Sequence, residues 1–112
     1  MKKLSIIIPC YNEQESLPLF YPAVKKIVKK IPVEPEYIFV NDGSSDDTLK
    51  ELKKIQQEDK EHVHYISFSR NFGKEAALYA GLQAATGDLV VVMDADLQDP
   101  PELLIEMYYL IK

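Results

Sequence analysis

A chain of 112 residues allows one modest domain, with a usable core and a thin stability margin. Hydrophobic residues make up 46% and charged residues 28%, which is ordinary for a soluble globular protein and leaves no room for a disordered or low-complexity class. The net charge of -5 argues against a nucleic-acid partner, because a phosphate backbone needs concentrated positive charge.

The chain opens on Met-Lys-Lys-Leu-Ser-Ile-Ile-Ile-Pro. Its apolar stretch is too short for a signal peptide and runs into the polar Tyr11-Asn12-Glu13. Leu4 to Ile8, β-branched and ended by Pro9, reads as a fully buried strand. Cys10 is the single cysteine, so no intrachain disulfide can form, which fits a reducing compartment. Leu17, Phe20, Tyr21, Val24, Ile27, Val28 and Ile31 recur at helical spacing and predict a helix over roughly 15–30. Lys25, Lys26, Lys29 and Lys30 are then its solvated face. Pro18 suits the first turn, whereas Pro22 is expected to bend the helix or delay its start.

Pro32 and Pro35 bracket an exit loop before a second buried strand, Tyr37 to Val40. Residues 41–47 combine turn chemistry with several potential N-caps. Leu49, Leu52 and Ile55 mark a second helix, ending near Glu58. Val63 to Phe68 is a third strand, with His62 and His64 read as edge residues, since no cysteine or further histidine joins them. An alanine-rich helix over 74–85 is expected to stop at Gly87. Leu89 to Met93 is a fourth strand, residues 94–99 a loop, and Pro101 opens a helix that runs to the end. No apolar run approaches the roughly 20 residues needed to cross a bilayer.

The order β-α-β-α-β-α-β-α with continuous apolar strands predicts an α/β fold, a mostly parallel sheet with helices on both faces. In such a sheet the carboxyl ends of all strands share one edge, where ligands bind. Four polar segments meet there: 9–13, 41–44, 69–73 and 94–99. The last helix stops at Lys112 without a closing strand or cap, so an incomplete domain is expected. A partial sheet exposes an apolar edge or face, which favours a homo-oligomer or poor solubility.

Asp94 and Asp96 offer two carboxylates directly after a buried strand, and Gln98 a neutral oxygen. This donor set suits Mg²⁺ or Mn²⁺. An acidic protein that handles phosphates would recruit such a cation. The competing reading is that Asp96 or Asp99 caps the next helix; the motif alone leaves the two balanced, and its place on the rim favours the metal. Asp42, before Gly43, can accept from a ribose or a base edge, although taken alone it is better read as a turn residue. Gly43 permits a tight turn and close approach of a ligand. Tyr11 can cover a base and Glu13 bond a ribose, or they pack and sit at a helix N-terminus respectively. Arg70 and Lys74 bring positive charge to the rim or are surface residues. Dinucleotide, P-loop and hydrolase-elbow motifs are missing.

Three segments in this order, Leu-Ser-Ile-Ile-Ile-Pro-Cys-Tyr-Asn-Glu (4–13), Val-Asn-Asp-Gly-Ser-Ser-Asp-Asp-Thr (40–48) and Gly-Asp-Leu-Val-Val-Val-Met-Asp-Ala-Asp-Leu-Gln-Asp-Pro-Pro-Glu (87–102), resemble the family 2 glycosyltransferases of GT-A fold. Ser-Arg-Asn-Phe-Gly-Lys-Glu-Ala-Ala-Leu (69–78) is similar to the polyprenyl-phosphate branch, which includes dolichol-phosphate mannosyltransferases and bactoprenol glucosyltransferases. The resemblance covers nearly the whole chain.

It implies that Pro9, Tyr11, Glu13, Val40 and Asp42 line a base and ribose pocket. Asp94 and Asp96, with Gln98, would hold Mg²⁺ or Mn²⁺ against the donor diphosphate. Ala95 would pass close to the nucleotide, and Arg70 is a weaker donor-side candidate. The implied reaction moves a hexose from a nucleotide-diphosphate sugar, UDP-glucose first, to a polyprenyl phosphate with inversion, at the cytoplasmic face of the membrane in the full-length protein. Acceptor and general-base residues are expected beyond Lys112, so this chain alone is expected to bind donor and transfer little or nothing. A haloacid-dehalogenase-like phosphohydrolase and a receiver-type signalling domain are the alternatives; the Asp-x-Asp lies on the wrong strand for the first, and the second lacks its acidic pair and lysine.

Overall fold

The computed structural model describes residues 1–96, 98 and 100–111. Four strands and four helices alternate: β1 (Lys2–Cys10), α1 (Leu17–Val28), β2 (Val33–Asn41), α2 (Thr48–Glu58), β3 (Val63–Ser67), α3 (Lys74–Ala84), β4 (Leu89–Val92) and α4 (Leu103–Ile111). All pairings are parallel, and the sheet order is β3-β2-β1-β4. The expected α/β architecture is therefore present. The chain steps outward from β1 to β3, then returns to the other side of β1, which makes the β1/β4 boundary the topological switch point.

This reversal divides the helices between the faces. α1, α2 and α4 cover one face, over Leu4, Ile6, Ile8, Tyr37, Phe39 and Val91. α3 covers the other, with Ala77 against Ile38 and Val40. Gly81 brings α3 close to β1: a Cβ there would stand 2.4 Å from Cγ2 of Ile7. The outer strand β4 is only half covered, leaving Val90 and Val92 exposed. Among the described residues no helix is long and apolar enough to cross a membrane.

Several boundaries differ from expectation, for reasons that lie in the neighbouring strands. Pro9 does not end β1, and Pro35 does not delay β2. Ile7 O accepts from Met93 N on the β4 side, so alternation turns Pro9 toward β4 as well, beyond Val92 where that ladder has stopped. Tyr37 N donates to His62 O on the β3 side, so Pro35 faces β3 before that strand begins. Neither proline removes a ladder bond. Pro22 sits inside α1 without delaying it; the orphaned carbonyl would be that of Pro18, and both prolines are exposed. α3 stops at Ala84, before Gly87. The role of Gly87 is space: its N–H donates to Ser5 Oγ (2.8 Å), and a Cβ would lie 2.6 Å from that oxygen. α4 begins two residues after Pro101, following i to i+3 bonds such as Leu103 N to Pro100 O. The cap reading of Asp99 lies outside the described residues.

Candidate functional site

The loops after β1 and β2 are laced together by short polar side chains. Asn12 takes a left-handed φ of 54°; its N–H donates to Ser44 Oγ, and its Oδ1 accepts from Ser45 N. Glu13 N donates to Thr48 Oγ1, Gln14 N to Asp46, and Asp47 N to Gln14 Oε1. Partial burial works against charge on Asp46, but donors from Thr48 and Gln14 outweigh it and hold its carboxyl below the usual range. Each loop thus satisfies the other's backbone donors.

Asp42 anchors a third loop. It is buried, and its carboxylate accepts from Phe72 N (2.8 Å), Gly73 N (3.1 Å) and Asn71 Nδ2 (3.2 Å). Gly43, with φ of 65°, lets that loop come close: a Cβ on it would fall 2.0 Å from the carbonyl carbon of Arg70. The close approach expected of a ligand at Gly43 is made by the chain's own backbone. The Arg70 guanidinium stacks on Phe72, 4.7 Å from the ring centroid.

After Val92 the chain leaves the sheet. Met93 N still reaches Ile7 O, and the chain then turns so that Asp94 and Asp96 are exposed on either side of Ala95. Asp96 Oδ1 accepts from Gln98 N (3.2 Å). Because α4 starts at Leu103, Asp96 is not its cap. Ala95 is buried in the main core and fixes the turn, while Asp96 and Gln98 are exposed.

A cavity of about 160 Å³ lies at this switch point, lined by Pro9, Cys10, Tyr11, Glu13, Asp42, Lys74, Ala77 and Asp94. Tyr11 is half-exposed. Lys74 Nζ stands 3.0 Å from Asp94 Oδ1, the two side chains being 62% and 44% exposed. Burial pushes the Glu13 carboxyl above its usual range, and Asp96, Asp94 and Asp46 add to this against a hydrogen bond with Ser16. Its Oε2 is buried without a partner. Negative charge is therefore concentrated where only Lys74 opposes it among the described residues that line the cavity. Burial, with some help from Glu13, pushes the Cys10 thiol far up, so it is a packing residue rather than a nucleophile.

Of the residues singled out from sequence, Pro9, Tyr11, Glu13, Asp42 and Asp94 meet at this cavity. Asp96 acts on Glu13 electrostatically. Val40 is buried beneath α3, and Arg70 stands off on Phe72; neither lines the cavity. Sequence reasoning passed over Asn12 and Asn71, whose roles depend on partners about 30 residues away. An apolar cavity of about 330 Å³ opens at the opposite, amino edge of the sheet. It is larger but lies away from the strand ends that gather the acids. Beside it Glu34, Glu61 and His62 are the one group of three His, Cys, Asp or Glu donors within 4.8 Å among the described residues. His62 is already engaged, with Nδ1 2.9 Å from Asp59 and Nε2 3.4 Å from Glu34.

The chain is similar to known proteins along most of its length. The glycosyltransferase CsbB of Bacillus subtilis is 52% identical over 103 residues, covering 92% of this chain and 31% of that protein. The bactoprenol glucosyl transferase of Shigella phage SfX is 45% identical over 102 residues, covering 91% and 33%. The mannosyltransferase PcManGT of Pyrobaculum calidifontis, solved in complex with GDP-Man and Mn²⁺, superposes with a TM-score of 0.73 at 23% identity, over 99% of this chain and 33% of that one. The chain thus spans about a third of the length of these relatives and shares the GT-A fold. Residues 5–112 match the sequence model of glycosyl transferase family 2, and the chain belongs to that family.

Proposed function

We propose that this chain binds the donor for a glycosyltransferase that moves a hexose from a nucleotide-diphosphate sugar to a polyprenyl phosphate with inversion. The observation that carries the reading is the cavity at the switch point, lined by Glu13, Asp42 and Asp94 with one lysine among the described residues. A divalent cation fits this surplus of negative charge. Asp94 and Asp96, with Gln98, are the ligands we assign to it. Two carboxylates leave positions for water and phosphate oxygens, as Mg²⁺ and Mn²⁺ prefer. When bound, the cation would act as a Lewis acid on the leaving diphosphate.

The chain's own residues do the rest. Tyr11 offers an exposed ring to a base at the cavity mouth, Pro9 shapes the wall beside it, and Glu13 accepts from ribose. Asp42 holds the 71–73 loop and presents any remaining lone pair to the nucleotide. Arg70, on that loop, and the buried Val40 and Ala95 lie outside the cavity lining and are assigned to the donor side by likeness to the family alone. A phosphate monoester acceptor is already ionised and needs little general-base help. UDP-glucose is the favoured donor, by likeness to the bactoprenol glucosyl transferase. That acceptor would place the full-length protein at the cytoplasmic face of the membrane.

Calorimetric titration of UDP and GDP, with and without Mn²⁺, tests the reading. Wild type should bind one nucleotide in a metal-dependent way, and Asp94→Ala/Asp96→Ala should lose it while keeping its circular dichroism. A folded wild-type chain that binds neither nucleotide would sink the proposal.

A further inference from the structure

Among the described residues that line the cavity Lys74 is the one cation, with its backbone anchored on one side and its ammonium paired on the other. Lys74 is the first residue of α3. The preceding Phe72 and Gly73 amides are fixed by the buried Asp42 carboxylate, at 2.8 and 3.1 Å. Asp94, on the turn after β4, meets the lysine across the cavity at 3.0 Å. The same oxygen cannot serve an ammonium and a divalent cation at full strength, because like charges repel across a few ångströms.

We propose that Lys74 is a placeholder cation: it neutralises Asp94 before the metal arrives, then swings to the diphosphate that the metal brings. This inference rests on the donor-site reading above and adds an exchange of partners to it. The geometry suits the exchange. The lysine stem is long and its side chain is 62% exposed, so the head can move while the backbone stays anchored. Ala77, one turn further along α3, lines the same cavity, so this helix face and its amino end already border the site. A diphosphate entering there would meet both the ammonium and the positive end of the helix.

The test is Lys74→Gln, with Lys74→Arg as the charge-retaining control. Mn²⁺ is titrated alone, by calorimetry or water-proton relaxation. The nucleotide that wild type binds is then titrated at saturating Mn²⁺, with a thermal melt on each protein. Removal of the competing ammonium should tighten Mn²⁺ alone by about two- to fivefold, the scale of a half-exposed ion pair. The same variant should bind the nucleotide about tenfold more weakly, the scale of a lost bond to a charged group. Lys74→Arg should keep most of the nucleotide affinity. Opposite signs in one variant are the signature. Unchanged affinities would make Lys74 a spectator, and a fall in both with a lower melting temperature would make it a structural anchor; either overturns the inference while the donor site stands. A folded wild type that binds neither metal nor nucleotide would remove the donor site, and this inference with it.

Discussion

Single atoms decide much of the site. A methyl on Gly43 would fall 2.0 Å from Arg70 carbonyl carbon and 2.2 Å from Asn71 N, both backbone atoms that cannot turn aside. Gly73 has the larger positive φ, 102°, yet an added Cβ meets nothing within 4 Å. Gly43→Ala should therefore cost about 3 kcal/mol, and Gly73→Ala only about 1–2 kcal/mol of backbone strain. Urea melts of the two variants check the order; equal losses would show that backbone conformation, and not crowding, governs Gly43. From sequence, Gly43 announced a turn but not its occupant, because the loop that fills the space is 27 residues further on. Asp42 is similar. Its type and its glycine neighbour were legible, but the three donors that fix it come from residues 71–73.

At the level of elements, the buried Glu36 ties three of them together. Its carboxylate accepts from Ser5 Oγ on β1 and from Thr86 N and Oγ1 in the α3–β4 connection, with Lys3 Nζ at 3.3 Å. Burial alone would raise its pKa, but the Ser5, Thr86 and Lys3 donors outweigh it and pull the carboxyl down to about 2 from 4.5. A group depressed by folding stabilises above its unfolded pKa and loses that contribution as pH falls. The window here is about 4.5 down to about 2. Glu36→Gln should thus cost up to about 3 kcal/mol at neutral pH, on the scale of 1.36 kcal/mol per unit, and should flatten the acid limb in that window. Denaturant melts at pH 7 and pH 2 compare the two; a difference that persists undiminished at pH 2 would refute the assignment. This clamp was invisible from the sequence, where Val-Glu-Pro-Glu reads as an exit loop. Local polarity and a proline hid the start of β2, since what buries Glu36 comes from positions 5 and 86. The helices were easier, because their apolar period lies within each segment and needs no distant partner.

Across the whole molecule, the parallel order and the polar rim followed from four apolar runs separated by helical periods. The side of β1 on which β4 docks did not follow, since either edge would satisfy the same pattern. The structure places β4 beside β1, and that choice brings Asp94 opposite Glu13 and Lys74. It also puts the most remote strand pairing in the sheet, β1 with β4, directly before the residues assigned to the metal, with Ile7 opposite Val92 at its carboxyl end.

That pairing has a dynamic consequence. β4 is four residues long, pairs with one neighbour, and carries half-exposed valines, so it is held by less buried surface than any strand inside the sheet. Local opening of β4 would carry Asp94 and Asp96 away while β1, β2 and β3 stayed paired, and it should cost less than global unfolding. Amide exchange at Met93, bonded to Ile7, should then be faster than at Tyr37, bonded to His62. A ligand that engages only the closed form stabilises it by mass action. Adding Mn²⁺ with nucleotide at 100 times its dissociation constant should slow Met93 exchange up to about a hundredfold. Unchanged Met93 exchange would mean that β4 does not open separately or that the ligand does not sense it. On this view, occupancy of the site and the attachment of the last strand are one equilibrium, read from either end.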